Sequence, residues 1–212
     1  MAKAQVKVPT RDRILGATAD LLRRKGYTGT GLKEIVRASE APFGSVYHFF
    51  PGGKEELGAE AIRLSGKTYN ALIQAFYEGA RDLVSATGEF FEGAAQVLRE
   101  TNYEDACPIA TVALEVASAS EPMREATAEV FESWIADCSS YFVGAGLDAS
   151  RAREVSITLF NLIEGAFILC RAWKSTEPMK LAGELAVAVV RDAVGTASKP
   201  NPRHRAGSRS AR

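Results

Sequence analysis

The residues best suited to do chemistry lie between positions 43 and 54. Phe43, Gly44, Ser45, Tyr47 and His48 alternate around the apolar Val46 and Phe50, so a short helix there turns hydroxyls, a ring nitrogen and an aromatic face outward. Such groups suit phosphate oxygens and base edges, and Gly44 allows a close backbone approach. Gly52-Gly53-Lys54 follows at once. At a helix start it offers free N–H groups, a positive dipole end and a cation, the parts of a phosphate site. Catalysis is poorly served by comparison. The chain has two histidines, His48 and His204, and no P-loop, GxSxG or HExxH pattern. Cys107, Cys138 and Cys170 are widely spaced and form no CxxC pair, which predicts reduced thiols and neither a zinc site nor a disulfide framework. Asp105 and Cys107 before Pro108 can be read as a dyad, but a helix-start carboxylate and a buried thiol explain them more simply. The expectation is a protein that is not an enzyme and uses no metal or cofactor.

A helical frame is predicted around these residues. Ile14, Leu15, Thr18, Leu21 and Leu22 keep the i, i+3/i+4, i+7 spacing of an amphipathic helix, running from a Thr10 cap to Lys25-Gly26. A second helix, from Gly31 to Ser39, turns Leu32, Ile35 and Val36 inward and Lys33, Glu34 and Arg37 outward, with Thr30 as its cap. Pro42 suits the first turn of a third, which must end near Phe50 because Pro51-Gly52-Gly53 cannot continue it. Further helices are expected at 54–78, 83–101, 108–118, 122–143, 149–174 and 179–194, and no stretch alternates with period two. The fold class is therefore all-α with about nine helices: a three-helix head over 1–53, a helical body over 54–197, and a tail over 198–212 whose Pro/Ser/Arg-rich composition predicts disorder.

Composition and charge narrow the partners. With 212 residues and 46% hydrophobic content the chain can bury its own core. No apolar leader is seen and no apolar run approaches the ~20 residues of a membrane span, so a cytoplasmic protein without membrane contact is expected. The net charge of zero hides an asymmetry. Residues 1–50 carry nine Lys/Arg against four Asp/Glu, residues 51–197 twelve against twenty-two, and residues 198–212 five against none. A basic end on an acidic body points to a polyanion partner. The tail either adds attraction to DNA or is solvated and inert.

Three short helices with a tight break before the third describe a helix-turn-helix, whose last helix enters the major groove. From Arg13 to Leu57 the chain, and G-S-x-Y-H-x-F-P-x-G-K-E-E-L above all, resembles the DNA-binding domain of TetR-family transcriptional regulators. The additional Gly before Lys54, with CPIATVALE at 107–115 and LIEGAFILCRA at 162–172, is similar to the subgroup with an LmrA/YxaF-like C-terminal domain. The resemblance implies a repressor that binds a palindromic double-stranded DNA operator as a homodimer and is released by a small molecule. It places Thr30, Gly31, Tyr47, His48 and Lys54 at phosphate-contacting positions and Pro42, Phe43 and Ser45 at base-reading ones, with Lys33 and Gly44 completing the DNA-facing set. Two residues depart from the family pattern. Glu40 stands where Gly is usual in the turn, at a cost of about 1 kcal/mol if the backbone is left-handed there. Phe43 stands where Lys or Arg is common; it cannot grip a guanine edge but can pack on a thymine methyl.

The 149–174 helix is apolar on two sides, Val155, Leu159, Leu162 and Ala166 on one and Ile157, Phe160, Phe167 and Ile168 on another, so it needs two partners. Met179, Leu181, Leu185, Val189 and Val190 form a similar stripe. A twofold dimer through these helices answers both and would set two recognition helices about 34–36 Å apart. The effector pocket that the resemblance implies is expected among Phe91, Val97, Cys107, Ile109, Val112, Trp134, Phe160, Asn161, Glu164 and Phe167, for a small apolar or aromatic molecule; aromatics at helical spacing also read as plain core. Glu164 has two readings, a contact to a cationic or hydroxylated ligand or an ion pair with Arg171 across the dimer. The 54–78 helix is expected to link pocket and head. A DNA-binding regulator governed by a protein partner instead of a small molecule is the alternative, and activator action stays open beside repression.

Overall fold

A computed structural model describes residues 8–197; the expectation for the tail at 198–212 lies outside them. Every regular element among the described residues is a helix: α1 (Thr10–Lys25), α2 (Leu32–Ala38), α3 (Gly44–Phe49), α4 (Gly53–Gly79), α5 (Leu83–Glu100), α6 (Pro108–Val116), α7 (Glu121–Gly144), α8 (Ala149–Trp173) and α9 (Glu177–Ala197). The boundaries fall where local chemistry ends a helix. The Asp82, Ser120 and Asp148 side chains accept the N–H of Ser85, Met123 and Arg151, capping α5, α7 and α8. Pro sits in the first turn of both α6 and α7, where its missing N–H costs nothing.

Three expected helix starts differ. Pro9, not Thr10, is the N-cap of α1. Gly31 is the N-cap of α2, because the Thr30 hydroxyl turns back and donates to the Gly26 carbonyl at 2.7 Å. Pro42 precedes α3, whose N-cap is Phe43.

In the head, α1–α3, Ile14, Leu22, Ile35, Val46 and Phe50 are buried in one cluster. The turn after α2 is a Schellman motif: the Ala41 N–H donates to the Val36 carbonyl at 3.2 Å and the Glu40 N–H to Arg37 at 3.3 Å. Its left-handed residue is Glu40, with φ 50°, as the departure from Gly predicts. Arg13 closes the turn from outside, its guanidinium donating to the carbonyls of Ser39 at 3.1 Å and Glu40 at 3.2 Å.

In the rest of the chain α4 packs on α7, α7 on α8, α8 on α9 and α9 on α5, while α6 lies between α7 and α1. By length and composition α8 could cross a membrane, which corrects the expectation that no segment comes close. Its apolar residues instead pack on α7 and α9, with Val155, Leu159, Ile163 and Ala166 buried.

Candidate nucleic-acid interface and ligand cavity

Packing decides what the head presents. Burying Val46 and Phe50 leaves Pro42, Phe43, Gly44, Tyr47 and His48 exposed and Ser45 half-buried on one surface. Phe43 and Tyr47 are 49% and 51% exposed, their ring centroids 6.3 Å apart. The structure therefore brings this part of the expected set together, as an aromatic and hydroxyl surface with no Lys or Arg on α3. Lys33 and Gly31 are also exposed, on α2 and at its N-cap.

Two expected contacts are placed elsewhere. Thr30 is fully buried, so its hydroxyl holds the α1–α2 loop and cannot reach a phosphate. The Lys54 ammonium donates to the Tyr27 carbonyl at 2.7 Å and lies 4.1 Å from the centre of the Tyr27 ring. Partial burial lowers its pKa, against the pull of Glu115. Lys54 thus ties α4 to the α1–α2 loop. The start of α4 is likewise occupied, because the Glu56 carboxylate accepts the Gly52 N–H at 2.7 Å. Gly53, at φ 69°, makes the bend that brings α4 out of α3.

A cavity of about 300 Å³ lies among α4, α5, α7, α8 and the loop before α6. Of the expected residues, Val97, Cys107, Trp134, Phe160, Glu164 and Phe167 line it. Ile109 and Val112 do not; they are fully buried core on α6. Phe91 is also buried, at the α5–α9 contact, and its neighbour Phe90 faces the cavity. Asn161 is exposed on the outer side of α8. Missed altogether was the wall given by α4: Tyr69, Leu72, Ile73 and Phe76. Their i, i+3/i+4, i+7 spacing is a readable stripe on the helix expected to link pocket and head.

The cavity is aromatic at its base. Trp134 stacks on Phe160 with centroids 6.0 Å apart, and its indole N–H donates to the Gly66 carbonyl at 2.9 Å. Burial pushes the Glu164 carboxyl up to about 7, opposed by a hydrogen bond from Cys107, and pushes the Cys107 thiol up as well, with Glu164 reinforcing it. The Cys107 sulfur also accepts the Ala110 N–H at the start of α6, so this is an inert, buried thiol. Arg171 does not pair with Glu164 within the chain; its Nε donates to the Tyr103 carbonyl at 3.3 Å.

Two polar contacts join the cavity side to the head. Asp105, in the cavity wall, forms an ion pair with Arg23 of α1. At the far end of α6 the Glu115 carboxylate accepts the Thr28 N–H at 2.6 Å. It fits there because position 26 is glycine at φ 69°; a Cβ at that position would lie 1.8 Å from the carboxylate. α6 thus runs from the cavity at Cys107 to the α1–α2 loop at Glu115.

Known proteins share both parts. Residues 14–61 match the pattern of bacterial regulatory proteins of the tetR family, and residues 84–185 that of the LmrA/YxaF-like C-terminal domain of transcriptional regulators. The HTH-type transcriptional regulator YxaF of Bacillus subtilis is 35% identical over 182 residues, covering 86% of this chain and 95% of that one. LmrA of the same organism is 33% identical over 177 residues, covering 80% and 90%. Among solved structures, a TetR regulator from Legionella pneumophila superposes with a TM-score of 0.75 at 18% identity, over 86% of this chain and 97% of that one. Reduced Escherichia coli NemR gives 0.70 at 22%, over 86% and 95%. The chain therefore belongs to the TetR family of DNA-binding transcriptional regulators, in the group with an LmrA/YxaF-like C-terminal domain, and is not an enzyme.

Proposed function

We propose that this chain is a cytoplasmic repressor that binds a palindromic operator as a homodimer through residues 1–53 and is released when residues 54–197 take up a small apolar or aromatic molecule. The observation that carries the reading is the cavity of about 300 Å³ whose wall residue Asp105 is paired with Arg23 of the head. A ligand that repositions the loop at 105–107 pulls on α1 directly, and on the α1–α2 loop through α6 and Glu115. The α4 helix, which lines the cavity and packs on α1, gives a third route. Ligand and operator then oppose each other by the same factor, typically about 5–150-fold. The repressor polarity follows the name of a relative, the HTH-type transcriptional repressor NemR.

The homodimer rests on the outer faces of α8 and α9. Ile168, Leu169, Trp173, Leu181 and Leu185 are exposed there, Trp173 at 62%, and a stripe of that kind needs a partner. A second copy covers it by twofold symmetry. The test uses an operator selected by the full chain from random duplexes, with ligand affinity measured by calorimetry alone and with saturating operator. Weaker ligand binding on the operator is the expected result; equal affinities in both states would overturn the release mechanism.

A further inference from the structure

Glu164 is in an unusual position for a carboxylate. Its Oε2 atom is buried and has no hydrogen-bond partner among the described residues, although buried polar atoms in native proteins are nearly always paired. Apart from the hydrogen bond that the Cys107 thiol gives this carboxyl, the rest of the cavity supplies nothing to pair it. No Lys, Arg or His among the described residues lines the space, yet Glu100 and Asp105 do, beside Glu164. Arg23 already holds Asp105. Arg171 lines an adjoining space that Glu164 also borders, with Cys107, Phe167 and Glu115, but it gives its Nε proton to the Tyr103 carbonyl and makes no ion pair with Glu164. Glu100 is exposed on α5, next to the exposed Val97, and accepts from Gln96 at 2.7 Å. One carboxylate thus stands towards solvent, and one with an unpartnered oxygen stands deep.

The remaining surface is a set of π faces. Trp134 and Phe160 lie nearly parallel, at 19°, and the indole N–H is already spent on Gly66. Phe76 meets Phe90 edge to face at 5.6 Å. Aromatic faces attract a cation through their quadrupole, more strongly where water is excluded. Carboxylates and π faces therefore favour one sign of charge, and nothing in the lining favours the other.

We propose that the cavity takes a lipophilic organic cation, an aromatic body carrying an ammonium or similar positive group, with the Glu164 carboxylate as its counter-charge. This rests on the reading of the cavity as the effector site and adds the chemical class of the effector. Binding also draws a proton off the chain. The empty site holds the carboxyl near 7, and a bound cation favours the charged form. The groups facing Glu164 are the Cys107 thiol and the Tyr69 hydroxyl, both pushed upward by burial, and Asp105, paired with Arg23; Glu100 lines the exposed side, and Glu115 and Arg171 the adjoining space.

The experiment compares three probes on one naphthalene body, using the full-length protein and calorimetry: (2-naphthylmethyl)trimethylammonium, its neutral carbon isostere 2-neopentylnaphthalene, and 2-naphthylacetate. The ammonium should bind at least about tenfold tighter than the isostere, with the acetate weakest. Its affinity should rise roughly tenfold from pH 6 to pH 8 while the isostere stays flat. Glu164→Gln should remove both the preference and the pH dependence while still binding the isostere, which shows that the cavity is intact. Equal binding of cation and isostere, tighter binding of the acetate, no binding of any probe, or a preference that survives Glu164→Gln each overturns the proposal. Operator displacement separates this from the reading beneath it. An isostere that binds and releases operator with no cation preference sinks the cation and leaves the effector site; a preferred cation that leaves operator affinity unchanged does the reverse.

Discussion

The DNA-facing head and the cavity are built on opposite plans. The head buries Ile14, Leu15, Leu22, Ile35, Val46 and Phe50, and most of its candidate DNA-facing residues come from one run, 42–48. The cavity collects side chains from four helices and a loop, and leaves aromatic surface facing empty space. One is a packed wedge with its chemistry outside, the other a loose shell with its chemistry inside. Stability should therefore concentrate in the first, and tolerance in the second.

The largest effect should show that contrast. Phe50 is fully buried, with the Arg11 guanidinium 5.1 Å from its ring centre. Phe50→Ala should cost about 3–5 kcal/mol in urea unfolding and abolish operator binding. Phe160→Ala should cost about 1.5–3 kcal/mol, because its ring already borders a cavity and has fewer contacts to lose. Equal losses would mean that the cavity wall is packed as tightly as the head.

Next comes a change that separates surface from core. Tyr47 is half exposed, its ring beside that of Phe43 on the outer surface of α3. Tyr47→Ala should leave the melting curve within about 0.5 kcal/mol and weaken operator binding by about 1–3 kcal/mol, roughly 5–150-fold. A matching loss of stability would instead place Tyr47 in the fold and remove it from the proposed interface.

The same contrast explains what could be read from sequence. The head was legible because its elements are local: apolar spacing, the break before α3 and the Pro-Gly-Gly stop all lie within 45 residues, although its caps were not. The cavity was half legible. Trp134, Phe160, Glu164 and Phe167 stood out as aromatic or charged residues in apolar runs, but α5 carries Phe90 and Phe91 side by side, and periodicity cannot say which face meets a void. Lys54 and Thr30 show a different limit. Each is a polar side chain beside a DNA-facing loop, and only the tertiary partners, the carbonyls of Tyr27 and Gly26, reveal that it is already bound. The Arg23–Asp105 pair joins residues 82 positions apart, a distance that no local pattern bridges.

That pair is also where the two plans meet. Asp105→Asn keeps the shape of the cavity wall and removes the charge that holds α1. Operator binding and ligand binding, measured separately, should each stay within about threefold, while their coupling falls by about 1 kcal/mol, or roughly fivefold. Unchanged coupling would move the transmission to α6 and Glu115, testable in turn by Glu115→Gln at the Thr28 N–H.

The smallest predicted effect tests the head at its one strained residue. Glu40 carries φ 50° in a turn whose hydrogen bonds use backbone atoms alone, and its side chain is exposed. Glu40→Gly relieves the left-handed backbone but loosens the unfolded chain, so the two terms partly cancel. A net gain of about 0.5–1 kcal/mol is expected, a rise of a few degrees in melting temperature for a chain of this size. Arg13 should hold the turn as before, because it grips carbonyl oxygens and not the carboxylate. Operator binding should tighten slightly at low salt, where losing a negative charge beside α3 matters, and the difference should fade as salt is raised. If Glu40→Gly instead lowers the melting temperature, the carboxylate contributes to the turn. If the tightening persists at high salt, Glu40 acts through the position of α3 and not through its charge.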